Sequence, residues 1–533
     1  MSVALIIITV VALGSALCNV FAEYSRVMMM MQQNSYRPDR YGKWLRSSGD
    51  TTSYPRLVGL IVLFASMAAF SSIVWGLLLV AVFSSGSAIV LFGRKYKKPL
   101  VWTSRIKRIF SVMIMLSVIV VGAAAVWGYL SDGIETAAFY GAVALMALYC
   151  GSHIVVLSAV RMLQPVEKRI NKKYYDEAAA ILRSMPSLKV VGITGSYGKT
   201  STKHYLHRIL SEHFETLMTP GSYNTTMGVI RTVREMMKPY CEVFICEMGA
   251  KQKGDIREIC DLVHPDYGIL TAVGPQHLES FKTIENVRDT KFELIDSLPA
   301  DGFAVINNDF PQIASREVAN VECARYGVRD KKADYCADNI VYGEDGTDFV
   351  IIGDGRSIAL HTPLVGECNV SNLIAAVVMA LKLGVPEAKI RQAVARIAPV
   401  EHRLSMKRTA AGITIIDDAF NSNPSGSEMA LDVLRNMKSG RRIVVTPGMI
   451  ELGEQQYELN RQFGKLIARA ADIAVIVGQY NRQAITEGIE SEGNSGLQLI
   501  EAPTFKEAMA VLSPMLKRGD VVLLENDLPD TFK

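Results

Sequence analysis

Apolar positions are distributed very unevenly along this chain. Residues 3–22 and 57–93 carry no charged side chain, and the runs near 109–130 and 136–160 are similarly apolar. About 20 apolar residues in a helix cross a hydrocarbon core of about 30 Å. The pattern therefore predicts an α-helical membrane domain over residues 1–160. The first run is preceded by no basic n-region and has no convincing small-residue cleavage site, and reads as a span rather than a signal peptide. Basic residues set the expected topology. The segment 23–56 holds Arg26, Arg37, Arg40, Lys43, Arg46 and Arg56, and the segment 94–108 holds seven more lysines and arginines. Both should face the cytoplasm, so 57–93 must leave and return as a hairpin turning near Ser71–Gly76. The link Asp132–Glu135 then faces outward, while Arg161 and the Lys168–Lys173 cluster face inward. The expectation is about five spans, an outward N-terminus, a linker over 161–186, and everything later in the cytoplasm.

From about residue 187 the texture changes to short apolar runs separated by amphipathic stretches. Leu188–Thr194, Val243–Glu247, Tyr267–Val273 and Phe303–Ile306 read as buried strands, with helical patterns at Thr200–Leu210 and Asn369–Leu383 between or after them. Such alternation implies a mostly parallel sheet covered on both faces. Within 321–362, short turn-bounded strands at Asn339–Tyr342, Phe349–Ile352 and Ser357–His361 suit a small antiparallel insert. A second alternating unit starts near Gly412, with strands at Ile413–Ile416, Ile443–Thr446, Ile473–Val477, Gln498–Ile500 and Val521–Leu524. The expected domains are thus 1–160, the linker, 187–400 and 401–533.

Composition narrows this little. The mean hydropathy of +0.19 is high for a soluble protein, but the excess lies before residue 160. A net charge of +4 over 533 residues argues against a nucleic-acid partner. The eight cysteines form no Cys-x-x-Cys pair, so reduced thiols are expected rather than a zinc or disulfide framework.

The chemistry is concentrated after the first predicted strand. Thr194-Gly195-Ser196-Tyr197-Gly198-Lys199-Thr200-Ser201 joins that strand to a helix. Glycines let backbone N–H groups turn toward an anion, and the helix N-terminus adds its dipole. Lys199 would reach the β- and γ-phosphates of a nucleotide, and the Thr200 hydroxyl would ligate Mg²⁺. Ile193 stands where the standard phosphate loop has its first glycine, which separates this loop from those of kinases and transporters.

This compact loop resembles the ATP loop of the Mur ligases, and the similarity continues over roughly residues 187–520, closest to the D-alanyl-D-alanine-adding members. The resemblance implies a Mur-ligase-like P-loop ATPase domain followed by a Rossmann-like C-terminal domain. It implies that Gly195, Ser196, Tyr197, Gly198, Lys199, Thr200 and Ser201 bind ATP, and that Asn224, Thr225 and Thr226 face the substrate. Glu247, ending a strand in Ile245-Cys246-Glu247-Met248-Gly249, becomes a Mg²⁺ ligand, and His277 the family's metal-associated histidine. Lys291 becomes the lysine carbamylated by CO₂ that helps position a second Mg²⁺; from sequence alone it is a solvated helix lysine. Asn372, in Gly366-Glu367-Cys368-Asn369-Val370-Ser371-Asn372, would lie near adenine, with Cys368 where the family has histidine. Arg403 would contact the ATP phosphates, and Asp418, in Asp417-Asp418-Ala419-Phe420-Asn421-Ser422-Asn423-Pro424, the ribose. Gly448–Glu454 also matches, with Asn460 where a histidine is frequent.

The implied reaction activates a carboxylate with ATP and Mg²⁺ as an acyl phosphate, which an amine such as D-alanyl-D-alanine then captures. The acid would be a small-molecule or lipid-linked cell-wall precursor, handled by cytoplasmic domains of a multi-pass cell-membrane protein. Two departures stand out. Residues 1–186 replace the domain that binds the UDP-sugar, and Glu525-Asn526-Asp527 stands where such chains tend to carry Lys-Gly-Ser-Arg. A polyglutamate-type or lipid-linked acceptor is the alternative ligase reading. An ATPase-coupled transporter is a further alternative, and the uncharged 57–93 disfavours it.

Overall fold

The computed structural model describes residues 2–527 apart from 70, 71, 95, 97, 276, 277, 344, 345, 420, 421, 438 and 495. The chain divides into a helical unit up to Asn171 and an α/β unit from Lys172.

The helical unit comprises α1 (Val3–Gln33), α2 (Pro38–Ser48), α3 (Tyr54–Ala68), α4 (Ile73–Gly93), α5 (Ser104–Cys150) and the first part of α6 (Ser152–Arg183). Three of these, α1, α4 and α5, are long and apolar enough to cross a membrane. The hairpin expected over 57–93 consists of α3, with only 15 residues, and α4, with 21. Part of its turn, Ser71, lies outside the described residues. As a single rod, the 47 residues of α5 would extend about 70 Å, more than twice the bilayer core. The helix instead breaks at Asp132 and Gly133, where φ/ψ are −157°/34° and 80°/−159°. A Cβ on Gly128 would lie 2.7 Å from the Thr136 carbonyl oxygen, so the absence of a side chain there lets the two halves close against each other.

One cluster of polar groups inside this unit is closely paired. Glu23 of α1 is buried against Arg56 of α3, and Arg26 donates 2.8 Å bonds to both oxygens of Asp50. His153 and Tyr41 extend the network, with Nε2 of His153 2.8 Å from Asp50 and the Tyr41 hydroxyl 2.7 Å from its Nδ1. Val10, Phe64, Trp75, Val118 and Trp127 remain exposed around the exterior.

Residues 161–186, expected as a linker, are helical as far as Arg183. Within the α/β unit, Ala178 is fully buried, and Tyr174, Tyr175, Ile181 and Leu182 pack on the same core. The Arg234 guanidinium sits 4.0 Å above the Tyr174 ring and donates to Glu177 at 2.7 Å.

The first sheet has nine strands: β1 (Lys189–Thr194), β2 (Thr216–Met218), β3 (Val243–Glu247), β4 (Tyr267–Leu270), β5 (Phe303–Asn307), β6 (Glu322–Gly327), β7 (Tyr335–Gly343), β8 (Gly346–Gly353) and β9 (Arg356–Thr362). Their order is β2-β3-β1-β4-β5-β6-β7-β8-β9, parallel from β2 to β7 and antiparallel across β7-β8-β9. The three short strands expected within 321–362 fall inside β7, β8 and β9 and are antiparallel, as an extension of the main sheet. β7 pairs with β6, and the hairpins extend the main sheet. β1, β3 and β5 are buried along almost their whole length, which is why they read as continuous apolar runs. Strand order reverses at β1, with β3 on one side and β4 on the other. The carboxyl end of such a strand is where ligands bind in open α/β sheets.

The second sheet contains β10 (Ser405–Arg408), β11 (Thr414–Asp418), β12 (Arg442–Thr446), β13 (Ile473–Val477), β14 (Gln498–Ala502) and β15 (Val521–Glu525). Its order is β10-β11-β15-β12-β13-β14, with only β10 antiparallel to its neighbour. β15 thus returns from the end of the chain to lie between β11 and β12.

Candidate active site

The loop after β1 is held open by close backbone packing. Gly195 has φ +151°, and a Cβ there would meet the Thr271 hydroxyl at 2.1 Å. Gly198 has φ +79°, and its Cβ would lie 2.3 Å from Asn372 Oδ1. Only glycine fits either position. The N–H of Ser196 donates to the Ala272 carbonyl at 2.7 Å, and its hydroxyl is 3.1 Å from both the carbonyl and the N–H of Gly274. Asn372 is fixed in turn by the Thr202 hydroxyl, 3.1 Å away. The stretch after β4 thus braces one side of the loop, and the helix Glu367–Lys382 the other.

Lys199 opens the helix Lys199–Leu210, and its ammonium donates to the Gly195 carbonyl at 2.6 Å. Burial, partly offset by Glu247, lowers its pKa to about 8, so it is mostly charged at neutral pH. The Thr200 hydroxyl lies 3.1 Å from each oxygen of Glu247. Glu247 also accepts from Lys203 Nζ at 2.9 Å and Asn224 Nδ2 at 3.1 Å. Burial alone would raise the Glu247 carboxyl, but Lys203 and Lys199 outweigh it and hold it below its ordinary value. Lys203 was not among the residues expected from sequence. One helical turn beyond Lys199, it is fully buried and supplies the main countercharge to Glu247. The i, i+4 spacing from Lys199 was the available signal.

Lys291, on the helix Ile284–Phe292, is not the solvated lysine that its sequence context suggests. It is buried, and desolvation together with Lys199 lowers its pKa to about 7. Of the three expected substrate residues, Asn224 reaches Glu247. Thr225 caps the helix Thr226–Met236 by accepting from the Gly228 N–H at 3.3 Å, and Thr226 is that helix's first residue. Ser201, the third residue of the helix Lys199–Leu210, is buried. His277 lies outside the described residues.

The second domain of the α/β unit contributes Arg403 and Asp418. His402 and Leu404, on either side of Arg403, have φ +57° and +48°, a left-handed backbone that costs free energy for such side chains. Two bonds hold this bend: His402 Nδ1 to Asp417 at 2.7 Å, and the Leu404 N–H to Asp418 Oδ1 at 3.0 Å. Burial lowers the Arg403 pKa, opposed by Asp418 and Glu247, which places its charge between carboxylates of the two domains. Burial raises the Asp418 carboxyl above its ordinary value, opposed by Arg403. Tyr197 approaches the second domain as well: its hydroxyl donates to the Pro275 carbonyl at 3.3 Å and faces Ser425. Burial pushes the Cys368 thiol to about 12, so the residue in the histidine position is a neutral thiol close to Asp418.

Residues 193–380 match the Mur ligase middle domain, and residues 402–525 match the Mur ligase glutamate ligase domain. Across these two domains the chain is a member of the Mur ligase family. It is 28% identical over 281 residues to UDP-N-acetylmuramoyl-tripeptide–D-alanyl-D-alanine ligase of Bacillus subtilis, covering 52% of this chain and 60% of that enzyme. The Escherichia coli enzyme of the same name is 31% identical over 306 residues, covering 56% and 66%. The chain thus spans somewhat under two thirds of the length of these relatives. Among solved structures, MurF from Acinetobacter baumannii superposes with a TM-score of 0.60 at 27% identity, covering 66% of this chain and 76% of that one. MurF from Thermotoga maritima in complex with ADP gives 0.60 at 25% identity, covering 67% and 80%.

The residues present suit a hard cation. Mg²⁺ prefers oxygen ligands, keeps several waters and shares its shell with substrate phosphates. An ionised Glu247 paired with the Thr200 hydroxyl offers such oxygens, whereas the described residues contain no cluster of three or more His, Cys, Asp or Glu.

Proposed function

We propose that the chain is an ATP-dependent, ADP-forming amide ligase of peptidoglycan-precursor synthesis. In this reading it joins the carboxylate of a UDP-N-acetylmuramoyl-tripeptide to D-alanyl-D-alanine. The observation that carries the proposal is the gathering of Lys199, Thr200 and Glu247 at the end of the first sheet, with Arg403 and Asp418 supplied by the second. Family membership and the named relatives support the same reaction.

Lys199 and Arg403 hold the triphosphate and offset charge as the acid's carboxylate oxygen attacks the γ-phosphorus. Positioning and charge stabilisation supply most of the catalysis in such transfers. Thr200, Glu247 and Lys291, as its carbamate, together with His277, would hold Mg²⁺, which neutralises phosphate charge when bound. Asn372 lies beside adenine, and Asp418 accepts from the ribose hydroxyls. Gly195, Ser196, Tyr197, Gly198 and Ser201 shape and back the phosphate loop, while Asn224, Thr225 and Thr226 lie on the acceptor side. Approach of the two domains excludes water from the acyl phosphate until the amine arrives.

The helical unit embeds the protein in the cell membrane as a multi-pass anchor, with the ligase domains in the cytoplasm. Its three spanning-length helices also favour a second reading, an acceptor presented on a lipid carrier. The test is phosphate release by the detergent-solubilised full chain with MgATP, D-alanyl-D-alanine, and either the UDP-linked or the lipid-linked acid. Release requiring both acid and amine supports the ligase, and the faster acid identifies the acceptor. Release indifferent to both refutes it.

A further inference from the structure

β15 ends on Glu525, and the sheet register sets this residue directly beside Asp418 at the end of β11. Neighbouring strands lie about 4.8 Å apart, so the fold fixes two carboxyl groups side by side. Glu525 has no exposed surface. Its Oε1 accepts from the hydroxyls of Ser422 at 2.7 Å and Ser427 at 2.8 Å, whereas Oε2 is buried with no hydrogen-bond partner among the described residues. A buried carboxylate needs donors at both oxygens, and two adjacent carboxylates resist ionising together.

The surroundings are asymmetric. Asp418 faces the Arg403 guanidinium and the Leu404 N–H from the loop before β10, Cys368 from the helix Glu367–Lys382, and Asp417 on its own strand. Glu525 faces neutral hydroxyls from the start of the helix Pro424–Asn436, and Asp418 itself. Among the described residues, the cation facing the pair, Arg403, therefore favours charge on Asp418. Burial and the Asp418 charge push the Glu525 carboxyl well above its ordinary value, whereas Arg403 and the Leu404 N–H oppose the same rise at Asp418. Glu525 is thus no exposed anion at a docking surface, contrary to what its acidic sequence context suggests.

We propose that Asp418 and Glu525 hold one proton between them, with Glu525 a positioning residue whose neutral carboxyl keeps Asp418 ionised as the acceptor for the ribose hydroxyls. The proposal rests on the nucleotide-binding reading of Asp418 given above. When Glu525 loses its proton, the second charge drives the Asp418 carboxylate out of position.

The test compares binding of ADP and 2′,3′-dideoxy-ADP to the full chain, since their ratio reports the ribose hydroxyls and cancels the titration of Lys199. In the wild type the preference for ADP should fall several-fold between pH 7 and 9.5; in Glu525→Gln, neutral at every pH, it should stay constant. An equal fall in both proteins overturns the proposal, as does no fall in the wild type. ADP binding with no preference at any pH overturns it together with the ribose role of Asp418. A measurement on the wild type alone guards against a misfolded variant. Infrared spectra of glutamate-labelled protein should show a carboxylic-acid band at pH 7 that disappears only at higher pH, far above the ordinary glutamate range. A midpoint at the ordinary glutamate value of 4.5 overturns the proposal.

Discussion

Lys203 and Glu247 form an ion pair of 2.9 Å in which the side chains are 0% and 1% exposed. The lysine also donates to the Gly221 carbonyl at 2.6 Å, so the pair ties the helix after the phosphate loop to β3 and to the segment beyond β2. Pairs of this kind do not necessarily add stability over an apolar replacement, but removing one partner strands a buried charge. Here the stranded group would be the carboxylate facing Thr200.

Lys203→Ala is therefore expected to destabilise the α/β unit by about 3–5 kcal/mol. Urea unfolding followed by tryptophan-independent circular dichroism checks this. A loss below about 1 kcal/mol would mean that Glu247 finds another partner or a proton.

Lys199→Ala should behave in the opposite way. Its ammonium contacts only carbonyls of its own loop among the hydrogen bonds described, Gly195 at 2.6 Å and Ser196 at 3.3 Å. Unfolding should shift little, while amine-dependent phosphate release should fall by about 10²–10³-fold, the size expected for a lost transition-state charge contact. Full turnover in this variant would remove the loop from the reaction.

Gly198→Ala tests the loop geometry. A φ of +79° costs a non-glycine residue roughly 1–2 kcal/mol, and the new Cβ would also press on Asn372. Lower stability and a raised KM for ATP should appear together. Gly221→Ala, also at positive φ but with nothing within 4 Å of its Cβ, should cost stability and leave KM unchanged.

Lys291 carries a pH prediction. With a pKa near 7, its amine is mostly free base above that pH and able to add CO₂, giving a carbamate and a released proton. A ¹³C carbamate signal from labelled bicarbonate should be present at pH 8.5, fade below pH 6.5, and be absent in Lys291→Gln. The unfolded chain keeps this proton up to about pH 10.5, so the lysine's contribution to stability improves as pH rises from 7. A signal that persists at pH 5.5, or in Lys291→Gln, would contradict the assignment.

The parallel core was legible because β1, β3 and β5 are buried on both faces and leave unbroken apolar runs. β2, at the sheet edge, is three half-buried residues, and β10, another edge, pairs a largely polar Ser405–Arg408, so neither stands out from the surrounding loop. β6 was hidden by two charged residues, Glu322 and Arg325, which break up its apolar run. At the site, loop and strand-end motifs marked Lys199, Glu247 and Asp418, because glycine spacing and strand termini are local. Lys203 and Glu525 depend on contacts 44 and 103 residues away in sequence, with Glu247 and Ser422. Local pattern could not show that either is buried.

Carboxylate activation is the centre of this account, and oxygen labelling tests it most directly. UDP-N-acetylmuramoyl-tripeptide labelled with ¹⁸O in the reacting carboxylate would be incubated with MgATP, D-alanyl-D-alanine and the full chain in detergent. The released phosphate is then weighed by mass spectrometry. Attack of the carboxylate on the γ-phosphorus, followed by amine capture at carbon, leaves one ¹⁸O atom in each phosphate and one in the amide. Phosphate released at the same rate without ¹⁸O would show that water, not the acid, takes the γ-phosphoryl group.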